Sequence, residues 1–166
     1  MVYLRKILIT TDLSEHSVAA FEHAFSLGLL YASKMFVLHV VDDAQSLFRL
    51  PRHEEDTRLQ TARAKGEGIE RLNRFVVSHI GTERKVYPVV RSGVPESEIL
   101  TFAEEENVDL IVMATHGWTG VKHIVLGSVA EKVVRYSSVP VLTVKPKPML
   151  EPVVRREDVE SELHLK

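Results

Sequence analysis

The sequence predicts an α/β three-layer sandwich on a five-stranded parallel sheet of order 3-2-1-4-5. Three observations carry that prediction. Five short apolar runs alternate with helical patterns, an arrangement that implies βαβ units joined by right-handed crossovers. The first two runs are apolar on both faces, as central parallel strands covered by helices must be. The third and fifth carry Pro88 and Pro140, which cannot donate to a ladder and so belong at sheet edges. A chain of 166 residues is one ordinary domain with room for a sizeable core. We expect residues 1–146 to form that domain and residues 147–166, rich in proline and charge, to be a mobile tail.

In order, Lys6–Asp12 is a first strand, and Ser14 is a candidate N-cap for the helix that follows. Helical periodicity runs through Val18, Ala19, Phe21, Ala24, Phe25 and Leu29. Met35–Val41 is a second buried strand, stopped by Asp42 and Asp43, and Ala44–His53 reads as a loop. Glu54–Ile80 is a long charged helix with Leu59, Ala62, Ile69, Leu72 and Val76 as its apolar stripe. Gly66 and Gly68 fall inside it, each costing roughly 1 kcal/mol of helix stability against alanine and allowing a kink. Gly81 ends that helix, and Lys85–Val90 is the third strand. Pro95 stands near the start of the next helix, where proline is tolerated, with Ile99, Leu100 and Ala103 on its buried face. Asp109–Met113 is the fourth strand, Ser128–Tyr136 the fourth helix, and Val139–Val144 the fifth strand.

Composition narrows the function. With 21 basic and 23 acidic residues and a formal net charge of −2, there is no electrostatic case for nucleic acid or an acidic membrane surface. The absence of cysteine excludes disulfides, thiolate metal sites and cysteine nucleophiles. No apolar run approaches the roughly 20 residues that span a bilayer. No signal-peptide block precedes the first strand, so a cytoplasmic location is expected. The eight histidines form no ligand-spaced pair, and no metal site is expected. His39, inside a buried strand, reads as a hydrogen-bonded core residue.

The chemistry concentrates in the stretch Asp109–Val129. A buried strand runs into the small-residue turn Ala114-Thr115-His116-Gly117, and a loop then leads to Gly127-Ser128 at a helix start. The first N–H groups of a helix lack intrahelical partners and sit at its positive dipole end, so an anion fits there. Glycine supplies positive φ cheaply and lets the backbone approach a phosphate closely. In the predicted strand order the connections reverse between the first and fourth strands, and open α/β sheets bind ligands in the crevice at that point. Asp12 and the Ala114–Gly117 turn would face each other across it.

Ala114-x-x-Gly117, nine further residues, and Gly127-Ser128 resemble the nucleotide-binding signature of the universal stress protein family, in its ATP-binding branch. Ala114 stands where that signature usually has glycine, and Trp118 where a basic residue is common. The likeness extends over residues 3–145 and implies the adenine nucleotide alpha hydrolase-like fold. It also implies ATP as cofactor, with Mg2+ bridging the phosphates. The backbone amides of Gly117, Gly127, Ser128 and Val129, with the Ser128 hydroxyl, would hold the phosphates. Asp12 would bond the nucleoside end, and Thr10, Thr11, Val40, Met113 and Ala114 would contact base and ribose. Lys122 in the loop is as readily a solvated lysine as a phosphate contact, and His116 would order the turn. The resemblance further implies a homodimer paired through the Val139–Val144 edge strand.

The leading expectation is an ATP-binding stress-response regulatory or sensor protein, with at most weak ATP hydrolysis. No Walker loop, Gly-x-Ser-x-Gly elbow or two-metal carboxylate cluster is present, and no catalytic residue is assigned. A dimerisation module without nucleotide is the first alternative. A nucleotidyl-transferring enzyme is the second, and Thr10-Thr11-Asp12-Leu13-Ser14 lacks the His-x-x-His or Ser-Gly-Gly motif such enzymes carry at the end of the first strand.

Overall fold

The computed structural model describes residues 3–42, 54–81, 85–115 and 126–146, and of residues 54–61 the backbone alone. The five strands are β1 (Lys6–Thr10), β2 (Lys34–Asp42), β3 (Tyr87–Gly93), β4 (Leu110–Ala114) and β5 (Val141–Val144). Four helices alternate with them: α1 (Val18–Tyr31), α2 (Glu54–Ile80), α3 (Pro95–Glu105) and α4 (Ser128–Tyr136). All the strand pairs are parallel, and the sheet order is β3-β2-β1-β4-β5. The proline-bearing third strand and the strand that follows Pro140 both lie at edges, as expected.

Alternation along the strands sorts the core into two layers. Ile7, Ile9, Val37, Leu110 and Val112 meet Phe21, Phe25, Leu72 and Phe75 of α1 and α2 on one face. Leu8, Phe36, Leu38, Ile111 and Met113 meet Ile99, Phe102, Ala130 and Val133 of α3 and α4 on the other. No helix among the described residues is long and apolar enough to cross a membrane.

Several boundaries differ from expectation. Asp109 precedes β4; its carboxylate instead accepts the Arg5 and Lys6 N–H groups at 2.7 and 2.8 Å. The third strand starts at Tyr87 and runs on to Gly93, because β2 continues to Asp42 and offers it a partner. The fifth strand starts only at Val141. A local turn holds Val139, whose N–H and carbonyl both bond the Ser137 hydroxyl, and Pro140 contributes only its carbonyl, to the Ile111 N–H. Ser14 does not cap α1. A 3₁₀ turn (Glu15–Ser17) intervenes, and the Ser14 hydroxyl points back to Asp12.

Two apolar stripes also end differently. Leu29, assigned to the buried face of α1, is 87% exposed, and the small Gly28 packs on the sheet in its place. On α2 Ala62 is exposed, and Gly68 faces inward ahead of Leu72, Phe75 and Val76. The helix is continuous through both glycines. A Cβ at Gly68 would lie 3.0 Å from Val90 Cγ1 and 3.2 Å from Val41 Cγ2, so its lack of side chain sets how closely α2 approaches β2 and β3.

Candidate functional site

The carboxyl ends of β1, β2 and β4 open onto a cavity of about 400 Å³, closed by the first turns of α3 and α4. Its apolar walls come from Leu38 and Val40 of β2, Met113 and Ala114 of β4, and Pro95 and Ile99 of α3. Of the ten residues singled out from the sequence, nine line it: Thr10, Thr11, Asp12, Val40, Met113, Ala114, Gly127, Ser128 and Val129. Gly117 lies outside the described residues, as do His116, Trp118, Lys122 and His123. Ile99 and Pro95, one helical turn apart, went unassigned although every helix that follows a parallel strand starts at this rim. Leu38 shares a strand face with Val40. Asp42 was read only as a strand stop, yet it reaches the cavity edge.

One wall is a helix start. Gly127 is the N-cap of α4, at φ −65° and ψ 154°. Contrary to expectation, positive φ is not what calls for glycine here. A Cβ would stand 3.1 Å from the Thr115 carbonyl oxygen, tighter than ordinary contact. That carbonyl accepts the Gly127 N–H at 2.7 Å, while the Thr115 N–H continues the ladder to Val144 at 2.9 Å. Thr115 thus staples the start of α4 to the end of β4. The Gly127 N–H is given to Thr115, and the next three residues, Ser128, Val129 and Ala130, whose first-turn N–H groups have no intrahelical partner, line the cavity. A glycine N-cap brings no capping side chain to them.

The opposite wall is the turn that ends β1. The Ser14 N–H and hydroxyl both donate to Asp12 Oδ1, at 3.0 and 2.5 Å. The Ser17 hydroxyl donates to the Ser14 carbonyl at 2.7 Å, so the Thr11 hydroxyl is the donor in the 2.7 Å Thr11–Ser17 bond. Thr11 Oγ1 accepts the Leu13 N–H at 2.9 Å. These bonds hold Leu13 at φ 63°, a left-handed conformation uncommon for a side-chain-bearing residue. His39, on the opposite face of β2, bonds the Thr11 carbonyl through Nδ1 at 3.0 Å, in keeping with a hydrogen-bonded core histidine.

Charge at the cavity is one-sided. Among the described residues its titratable lining groups are the carboxylates Asp12 and Asp42, and no lysine or arginine lines it. Glu96, in the first turn of α3, bonds Lys132 of α4 at 2.5 Å and ties together the two helices that close the cavity. That bond, ahead of the Coulombic attraction, holds the Glu96 carboxyl below the ordinary carboxylate range and raises Lys132. No cluster of three or more metal-ligating side chains occurs among the described residues.

A parallel sheet of this order, with a glycine-capped helix start at its point of reversal, defines an α/β protein of the doubly wound type. Within that type the chain belongs to the universal stress protein family, whose model matches residues 4–145. Universal stress protein MJ0531 of Methanocaldococcus jannaschii is 38% identical over 141 residues, covering 85% of this chain and 82% of that protein. MJ0577 of the same organism is 32% identical over 164 residues, covering 88% and 98%. A solved structure of MJ0577 superposes with a TM-score of 0.75 at 34% identity, over 89% of this chain and 99% of that one. A universal stress protein solved in complex with cAMP has a TM-score of 0.56 at 21% identity, covering 86% and 98%; that is a likeness of fold.

Proposed function

We propose that the cavity binds an adenine nucleotide and that the protein is a regulatory or sensor domain that responds to it. The observation that carries this reading is the start of α4: three first-turn amides without a capping side chain border an apolar-walled cavity where the chain connections reverse. An anionic phosphate answers those donors and the positive dipole end. Leu38, Val40, Ile99 and Met113 offer a slot for a flat base, and Asp12 and Asp42 offer acceptors for ribose hydroxyls. A volume of about 400 Å³ lies within the usual range for small-ligand pockets.

ATP is the nucleotide the family resemblance favours. A magnesium ion would bridge its phosphates and keep several waters, since the described lining supplies two carboxylates and no metal cage. Slow hydrolysis at most is expected, as no lining residue among those described is an evident base. The β5 strand at the sheet edge would pair with a second copy, which analytical ultracentrifugation of the full chain checks; a monomer mass at all concentrations removes that pairing.

The deciding experiment is calorimetric titration of nucleotide-stripped protein with magnesium ATP. Micromolar binding that disappears in Gly127→Val is expected. No heat at several temperatures, with no nucleotide released from denatured protein, would overturn the reading in favour of a nucleotide-free dimerisation module.

A further inference from the structure

His39 does not line the cavity, yet it bonds a residue that does. Strand alternation turns Leu38 and Val40 toward the cavity and sends His39 to the other face. There it stands with Asp42 of its own strand and with Glu67 and Arg71 of α2 along a second cleft. Its Nδ1 meets the Thr11 carbonyl at 3.0 Å. A carbonyl only accepts, so Nδ1 carries the proton, and the tautomer is set.

We propose that His39 is a positioning residue for the nucleotide site, fixing the Thr11–Asp12 peptide from the face of the sheet opposite the ligand. Thr11 is held at every polar atom. Its N–H donates to the Leu38 carbonyl at 3.0 Å, its hydroxyl joins Leu13 and Ser17, and its carbonyl takes the imidazole bond. The next residue is Asp12, and the one after is the left-handed Leu13. The imidazole bond ties the carbonyl end of the peptide plane that leads into that turn. Without the imidazole, part of the ligand's binding energy would go into reordering the turn. Burial, the largest influence, together with the nearby positive charge of Arg71, lowers the ring below the ordinary imidazole value, outweighing the Thr11 bond and Asp12, which favour the charged form.

This inference rests on the nucleotide reading, so its test uses two readouts on the full-length chain. Magnesium ATP is titrated into wild type, His39→Leu and His39→Asn. The asparagine amide nitrogen stands as many bonds from Cβ as Nδ1 does and can replace the donor. The leucine variant is expected to bind about five-fold or more weakly, the worth of one net hydrogen bond, and the asparagine variant within about two-fold of wild type. His39→Gln, whose donor sits one bond further out, takes the place of the leucine variant should that variant not fold. The second readout needs no ligand: imidazole ¹⁵N shifts that report an Nδ1–H tautomer, and faster amide exchange at Leu13 and Ser14 in the leucine variant alone. Equal affinity of leucine variant and wild type, or equal loss in both variants, overturns the proposal, and so does an Nε2–H tautomer or unchanged exchange. Should wild type bind no ATP, the nucleotide reading fails, and tautomer and exchange still decide whether His39 orders the turn.

Discussion

The two walls of the cavity use their polar groups in opposite ways. At the end of β1, Thr11, Leu13, Ser14 and Ser17 satisfy one another, and His39 reaches across the sheet to close the set. At the start of α4, Thr115 takes the Gly127 N–H, and the next three residues line the cavity with no side-chain cap on their helix start. A turn that completes its own hydrogen bonds is a rigid frame with little left to offer a ligand. A helix that begins without a cap keeps its donors for something else. On the proposed nucleotide reading, the first wall sets position and the second supplies affinity.

Perturbing the second wall should have the larger effect on binding. Gly127→Val drives a branched side chain against the Thr115 carbonyl and shifts the amides beyond. Loss of one or two charge-assisted hydrogen bonds, each about 1.5–3 kcal/mol, weakens nucleotide binding by about a hundred-fold in calorimetry. Wild-type affinity in that variant would show that the donors do not act as described.

Perturbing the first wall should appear mainly in stability. Thr11→Val keeps the shape and removes the hydroxyl, leaving the Leu13 N–H and Ser17 without their partner. Urea denaturation should record a loss of about 1–3 kcal/mol. A change no larger than that of an ordinary surface substitution would mean the turn is not held by this network.

A smaller effect concerns pH. His39 sits below the ordinary imidazole value of 6.5, chiefly through burial. The unfolded chain therefore binds this proton more readily than the folded one, and stability due to this group is complete above 6.5 and lost as pH falls from there through the lower folded value. The charged groups around the ring act in both directions, Arg71 against protonation and Asp12 toward it. Urea midpoints measured at descending pH should fall less steeply in His39→Asn than in wild type; parallel curves would assign the acid sensitivity to other groups.

Smallest of all is the Glu96–Lys132 pair. Its lysine is solvent-exposed, so water screens the attraction. Lys132→Met should denature indistinguishably from wild type while leaving ATP affinity within error, and a marked loss of either would place the pair within the binding wall.

Much of this arrangement was legible in the residues. Both-face apolar runs marked β1 and β2, a continuous apolar run marked β4, and Pro88 and Pro140 put the third and fifth strands at edges, which with the alternation led to the strand order. The spacing of Ala114, Gly127 and Ser128 pointed to one rim of the crevice and Asp12 to the other. Less legible was anything that depends on a neighbour distant in sequence. The exposure of Leu29 follows from how α1 lies on the sheet, where Gly28 and not Leu29 meets Met35. The third strand was expected to stop at Val90 but runs on to Gly93, because its far end is set by where β2 ends. Pro95 and Ile99 carried no motif and became lining residues only through the crossover that carries α3 back over the sheet.

The sequence by itself therefore determined which segments are strands and helices, their order in the sheet and the residues that end on its carboxyl rim, since periodicity and proline chemistry are local properties. Only the tertiary structure decided that Gly127 is needed for its approach to Thr115, that its N–H is already engaged, and that His39 holds the far wall. Those are distances of about 3 Å between residues up to 28 positions apart, and packing of the whole sheet creates them.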